Sequence, residues 1–314
     1  MKDFGVLTLA HRGDYRKAIG LSLSMRVSNP RVPLAVACSS DTKELLAPYF
    51  DHVVEEIPGL RGFVHKVHLD RYSPFDRTLF LDSDVLVFKD LAPYVEKWAN
   101  ASYTACGTYL ADGESCFGLD RCAVRMKLGV NRMVSIEGAG HAYFRKPQCF
   151  ELFELAREIT ADYRRFADDA RYADEDVIAI AMTRLELAPV PYEDFFARHL
   201  SAIPGTLRMD ARRGQCEFLA VTTRRPFAPC MMHFAADEAP FRYTLELARL
   251  HRHFRIEAPL GAFVGMAFAD LYRGTFRNWL SNRRRQLFAG RHRSALPGRL
   301  SAQRPMRRGD GPAP

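Results

Sequence analysis

Apolar residues in the first third of the chain fall into short dense blocks, separated by stretches in which they recur at helical spacing. "FGVLTLA" (residues 4–10) reads as a buried strand, and "RKAIGLSLSMRVS" after it places Ala18, Leu21 and Met25 on one helical face, with Ile19 and Leu23 nearby. "VPLAVACSS" is a second strand, and its Ser-Ser-Asp end is placed to cap a helix over "DTKELLAPYF". "DHVVEEIP" is a short third strand or edge element, and "VHKVHLDRYSPF" begins as a helix that Pro74 breaks. "RTLFLDSDVLVF" reads as buried strand throughout. Near-continuous apolar strands alternating with helices predict an α/β chain with a mostly parallel central sheet flanked by helices.

The middle of the chain is less regular. "YTACGTYLADGESCFG" reads as strand then loop, and "GHAYFRK" as a short strand. "PQCFELFELAREITADYRRF" predicts one amphipathic helix with Phe150, Phe153, Leu155 and Ile159 near one side. "DEDVIAIAMTRL" is a further helix, with Asp174 and Glu175 at its start, where the helix field favours anions. "LAPVPYEDFFA" is loop-like, "CEFLAVTTRRPFAPCMMHFAAD" holds one or two strands, and "PFRYTLELARLHRHF" is a helix. No internal repeat is present.

Charge changes the picture at one end only. The formal net charge is +8, but residues 272–314 carry eleven arginines against a single acid, Asp310, so the body is close to neutral. This divides the chain into a main domain over residues 1–258, an amphipathic basic helical segment over 259–288, and an Arg/Pro-rich disordered tail over 289–314. In the second segment Phe276, Trp279, Leu280 and Phe288 stand opposite Arg283, Arg284 and Arg285. That pattern fits either peripheral contact with an anionic membrane or a solvated tail. No nucleic-acid recognition motif accompanies the arginines, so specific nucleic-acid binding is not expected. Seven scattered cysteines without a CxxC pair suit a reducing cytoplasm, and no stretch reads as a signal peptide or a transmembrane span.

The candidate chemistry starts at Asp82 and Asp84 in "FLDSDVLVF". In an extended strand both would point to one face. Two buried carboxylates without compensation cost several kcal/mol or hold a proton. A hard divalent cation that takes carboxylate oxygens is one remedy. The alternative is an unliganded turn, since Asp and Ser are turn formers.

"KVHLDRYSPFDRTLFLDSDVLVFKDL" (residues 66–91) resembles the core motif of GT-A (Rossmann-like) nucleotide-sugar glycosyltransferases, nearest to the glycogenin and bacterial lipopolysaccharide galactosyltransferase group. "GVLTLAHRGDYRKAIGLSLSMR" resembles that group's opening. "EGAGHAYFRK", "ADEDVIAIAM" and "HFAADEAPF" follow in the family's order, so the resemblance spans roughly residues 4–245.

The resemblance implies a metal-dependent, retaining sugar transferase of cell-surface or polysaccharide biosynthesis. Its donor would be a nucleotide-diphosphate sugar, with UDP-sugars favoured, and its acceptor a glycan, a lipid-linked species or a small molecule. It assigns Asp82, Asp84 and His233 to Mn²⁺ or Mg²⁺, and Asp174 and Glu175 to catalysis. It assigns Thr8, Ala10, Tyr15, Lys66, Ser83, Gly138 and Arg242 to donor binding, with Lys66 and Arg145 as partners for phosphate or the acidic cluster and His65 and His68 as lesser ones. The departures are specific. Glu175 stands for a family glutamine, Ala236 for a glycine, Ala239 for a lysine, Phe241 for a tryptophan and Gly138 for an asparagine. Arg242 is the nearest replacement for the lost cation. These departures keep open a second reading, a sugar-nucleotide or glycan-binding protein without turnover. Nucleotidyl transfer to a sugar phosphate is a third reading, opposed by the lack of a repeat-glycine loop after the first strand.

Overall fold

The computed structural model describes residues 3–11, 13–136, 140–191, 195–234, 241–257 and 260–271. The N-terminal half runs β1 (Phe4–Ala10), α1 (Tyr15–Ser28), β2 (Leu34–Cys38), α2 (Lys43–Leu46), β3 (His52–Glu55), a 3₁₀ stretch (Gly62–His68) continued by α3 (Leu69–Tyr72), β4 (Arg77–Leu81), β5 (Val85–Val87), α4 (Ala92–Lys97), β6 (Tyr103–Thr104), β7 (Gly107–Leu110), α5 (Arg121–Leu128), β8 (Met133–Ile136) and β9 (His141–Arg145). There follow α6 (Phe150–Ala161), α7 (Tyr163–Ala167), α8 (Asp174–Arg184), β10 (Phe196–Arg198), β11 (Arg208–Asp210), β12 (Gln215–Leu219), β13 (Pro226–Phe227), β14 (Met231–His233), α9 (Phe241–His253) and α10 (Leu260–Leu271).

The main sheet has the order β3-β2-β1-β4-β9-β6. Its first four strands are parallel, whereas β9 runs antiparallel to β4 and β6 antiparallel to β9. The α/β expectation with a mostly parallel, helix-flanked sheet therefore holds. Two apolar layers cover the faces of β1. Val6 and Ala10 belong to the layer shared with α1 and α9, and Leu7 and Leu9 to the layer shared with α6 and α8. The α1–α9 approach is close: a side chain on Gly20 would collide with Leu247.

The "RTLFLDSDVLVF" block is divided, contrary to the single strand expected of it. β4 belongs to the main sheet, whereas β5 pairs with β14 in a separate sheet of order β10-β14-β5. The Asp82 amide donates to the Gly140 carbonyl at 2.8 Å, and the Val85 amide donates back to the Asp82 carbonyl at 3.0 Å. The D-S-D triplet is thus a turn between sheets, and the carboxylates lie at a sheet end rather than inside a strand.

Other differences have local causes. The capped helix over "DTKELLAPYF" shortens to a 3₁₀ turn and α2, because Pro48 supplies no amide to extend it. The "PQCFELFELAREITADYRRF" helix breaks at Asp162 into α6 and α7, and its buried stripe is Leu152, Phe153, Ala156 and Ile159, with Phe150 exposed. The region expected to hold one or two strands holds β12, β13 and β14. No helix among the described residues is long and apolar enough to cross a membrane. The basic segment beyond residue 271, with Trp279 and Arg283, Arg284 and Arg285, lies outside the described residues.

Candidate active site

The parallel strands bring their C-terminal ends to one edge, where open α/β sheets bind ligands. The Asp82–Asp84 turn lies at that edge. His233 arrives from β14, which pairs antiparallel with β5 so that His233 is opposite Val85. One ligand atom each from Asp82, Asp84 and His233 lie within 4.8 Å of one another. His233 Nε2 is 3.0 Å from Asp84 Oδ1 and 3.8 Å from Asp82 Oδ2. Gly140 makes room for this ring, because a β-carbon there would lie 2.9 Å from His233 Cγ.

Lys66 closes the cluster from the 3₁₀ stretch. Its Nζ is 2.9 Å from Asp82 Oδ1 and 3.0 Å from Oδ2, and 3.3 Å from Asp174 Oδ2. The stretch itself is pinned by Arg157 of α6, which donates to the Val67 carbonyl at 3.1 Å and to Asp70 at 3.0 and 3.2 Å. Asp174 and Glu175 stand on the first turn of α8. That turn is fixed by buried Asp176, which accepts from Ser115 Oγ at 2.9 Å and from Tyr163 Oη at 3.3 Å.

The electrostatics follow from packing acids together away from water. Burial pushes the Asp82 carboxyl above its usual range, against the pull of Lys66 and His233. Burial acts the same way on Asp84, but the His233 imidazole beside it brings the net shift below the usual range. Burial lowers the basicity of Lys66, yet Asp174 and Asp82 more than reverse this and hold it protonated. Burial would also discharge His233, and Asp84 overcomes that and raises its pKa. Two hard oxygen donors and an imidazole converge here in a carboxylate-rich pocket, which suits a divalent ion of the Mg²⁺ or Mn²⁺ type.

A cavity of about 180 Å³ opens beside the turn, lined by Leu9, His11, Asp14, Lys17, Gly62, Phe63, Lys66 and Asp82 through Asp84. Ser83, Lys66 and both aspartates therefore border it. Thr8 and Ala10 do not, since they share the Val6 face of β1 and are buried toward α1, while Leu9 and His11 turn to the cavity. Tyr15 is partly buried against the same α1-side core, with the Arg16 guanidinium over its ring. Arg242 donates to the Leu207 carbonyl and is not among the cavity's lining. Gly138, Ala236 and Ala239 lie outside the described residues. Arg145, at the far end of β9, pairs in register with Arg77. His68 is half-buried. Across Lys66 from the main cavity, a small space of about 20 Å³ is bordered by Tyr103, His141, Asp174 and Glu175.

Sequence reasoning missed Lys17, in the first turn of α1, which ion-pairs with Asp14 at 3.1 Å and borders the cavity. It also missed His11 and Glu56, which meet His65 so that their ligand atoms lie within 4.8 Å. The signal for Lys17 was its place on the helix after β1. Nothing local could pair His11 with Glu56, since only the parallel register of β1, β2 and β3 brings those strand ends together.

No protein-family model and no curated protein matches the chain. Solved structures do. The galactosyltransferase LgtC in complex with donor and acceptor sugar analogues is 14% identical over 83% of this chain and 99% of that one, with a TM-score of 0.52. An active-site mutant of LgtC is 16% identical over 86% and 99%, with a TM-score of 0.50. The bifunctional glycosyltransferase WbbM, in its apo form, is 13% identical over 80% of this chain and 51% of that one, with a TM-score of 0.51. At these identities the likeness establishes architecture: the chain has a GT-A-like glycosyltransferase fold, with a His/Asp cluster positioned to hold a divalent metal ion.

Proposed function

We propose that this protein is a metal-dependent glycosyltransferase, akin to the glycogenin and lipopolysaccharide galactosyltransferase group. It would move a sugar from a nucleotide-diphosphate sugar, UDP-sugars favoured, to a glycan, lipid-linked or small hydroxyl acceptor, with retention at the anomeric carbon. The observation that carries this reading is the meeting of Asp82, Asp84, His233, Lys66 and Asp174 at one edge of a GT-A-like sheet.

Asp82, Asp84 and His233 would hold Mn²⁺ or Mg²⁺, which when bound supplies a Lewis acid for the charge growing on the departing diphosphate. Lys66 adds a fixed positive charge at the same place, kept protonated and aimed by Asp174. Lys17 is a second cation on the cavity wall and takes the role first assigned to Arg242, whose guanidinium serves the Leu207 carbonyl. Glu175, beside Lys66 at the start of α8, stabilises positive charge on the sugar ring. The protein would work in the cytoplasm, or peripherally at the inner face of a membrane.

A second reading is donor binding without turnover, suggested by Ala239 and Gly138 standing where the family has a lysine and an asparagine. One experiment separates the two. The purified protein is incubated with a panel of UDP-, GDP- and CMP-sugars, with and without Mn²⁺, and both donor binding and freed nucleotide are measured. The first reading expects Mn²⁺-dependent release that Asp84→Asn reduces by ~100-fold or more, the scale of losing one essential electrostatic contact. Binding with no release supports the second reading, and neither binding nor release defeats both.

A further inference from the structure

His11, Glu56 and His65 form a second constellation beside the first, with a different donor chemistry. Glu56 Oε2 is 2.9 Å from His11 Nδ1 and 3.6 Å from His65 Nε2, and the imidazole centroids are 4.7 Å apart. The three residues come from three separate elements. His11 follows β1, Glu56 follows β3, and His65 lies in the 3₁₀ stretch.

The group is held as a site, not as a chance contact. The Glu56 amide donates to the Cys38 carbonyl at 3.0 Å, which extends the β2–β3 ladder by one residue and fixes the carboxylate's origin. His65 is buried, and its Nδ1 lies 2.7 Å from Tyr72 Oη, which in turn accepts the Ile57 amide at 3.0 Å. That chain of contacts orients the ring and leaves Nε2 toward Glu56. Among the described residues, the ion-pairing partners of Glu56 are these two histidines and not a lysine or arginine. A metal-binding histidine characteristically has its far nitrogen held by an outer partner in this way.

We propose that His11, Glu56 and His65 bind a transition-metal dication of the Zn²⁺ class, separately from the Asp82/Asp84/His233 cluster. Two imidazoles and one carboxylate match the three-ligand Zn²⁺ set that leaves a fourth position open. The first cluster, richer in carboxylate, matches harder ions. Binding selects the His65 tautomer that donates from Nδ1 to Tyr72 Oη and turns the Nε2 lone pair to the ion. His11 also lines the 180 Å³ cavity, so an ion held here borders whatever molecule enters it. The site stands independently of the transfer reaction proposed above.

The test uses the full chain, apo, with excess Mg²⁺ to occupy the first cluster, titrated with Co²⁺ by visible absorption and with Zn²⁺ by calorimetry. The expected result is one equivalent bound, with the visible bands of low-coordinate Co²⁺. His11→Ala and Glu56→Gln should abolish the bands, and Tyr72→Phe should weaken binding about 10- to 100-fold through the lost outer contact. Asp82→Asn/Asp84→Asn should keep both the bands and the stoichiometry. His11 is 34% exposed at its side chain, so its loss spares the core, and circular dichroism checks the fold. Absence of the bands in the parent protein overturns the proposal whatever the variants do. So does unchanged affinity in a folded His11→Ala protein, or loss of binding in the double aspartate variant.

Discussion

The His233 imidazole reaches the aspartate turn across residue 140, where an added β-carbon would lie 2.9 Å from His233 Cγ and Nδ1. The same glycine accepts the Asp82 amide at 2.8 Å, so one backbone position both ends β4 and clears space for the ring. Gly140→Ala is therefore expected to displace His233 with little change in the sheet. Mn²⁺ affinity, read by electron paramagnetic resonance, should fall ~10-fold or more while the circular dichroism spectrum is kept. Parent-like Mn²⁺ binding in Gly140→Ala would show that the ring has another way in.

Lys66 now neutralises carboxylates that a metal ion would also neutralise. Lys66→Met leaves Asp82 and Asp174 buried without their cation, and breaking a buried pair from one side costs about 3–5 kcal/mol. The metal-free variant should melt well below the parent, and Mn²⁺ should raise its Tm by more than it raises the parent's. Equal Mn²⁺ shifts in the two proteins would mean that Lys66 does not offset the charge of this cluster.

Arg157 holds the segment that carries Lys66 from the opposite side. Its guanidinium satisfies both oxygens of buried Asp70 and the Val67 carbonyl. Arg157→Met should lower unfolding free energy by roughly 3 kcal/mol, since it strands Asp70 away from water. Urea denaturation measures this, and a change under about 1 kcal/mol would mean that Asp70 finds a replacement partner.

His141 gives stability a pH dependence of known sign. Burial, helped by His233, pushes its pKa down from 6.5 to about 3, and its Nε2 accepts the Cys106 amide at 3.2 Å. The folded state keeps this ring neutral, whereas the unfolded chain takes up a proton below pH 6.5. Its contribution is complete above that pH and is lost as pH falls toward about 3, at about 1.4 kcal/mol per pH unit. His141→Gln retains an acceptor for the Cys106 amide but cannot titrate. Its stability between pH 6 and 4 should fall less steeply by about one proton, as read from urea midpoints at each pH. Parallel slopes for the two proteins would assign the acid sensitivity to other groups.

Apolar periodicity made β1 through β4, α1 and α8 legible because each buries a face of its own sequence against a continuous layer. Periodicity did not reveal β8 and β10, which are short and take their identity from partners elsewhere in the chain. It also misjudged "FLDSDVLVF": two apolar blocks around two acids look like one strand, and only the pairing of β5 with β14 shows that they belong to different sheets. Lys66, Asp82, Ser83 and Asp84, which border the cavity, were legible as candidates because a local motif carries them. Thr8 and Ala10 sit one residue out of phase with the cavity because β1 presents alternate side chains to opposite faces.

By itself, then, the sequence determined which residue types were available and which local elements would form, because burial and helix geometry act over a few neighbours. It set the carboxylate pair, the helix beginning at Asp174 and the apolar strands that feed them. Tertiary structure alone decided that His233 closes on Asp84, that Lys66 bridges Asp82 and Asp174, and that Glu56 meets His11 and His65. Those contacts join residues from nine to more than a hundred positions apart. They depend on strand order and register, which long-range packing fixes.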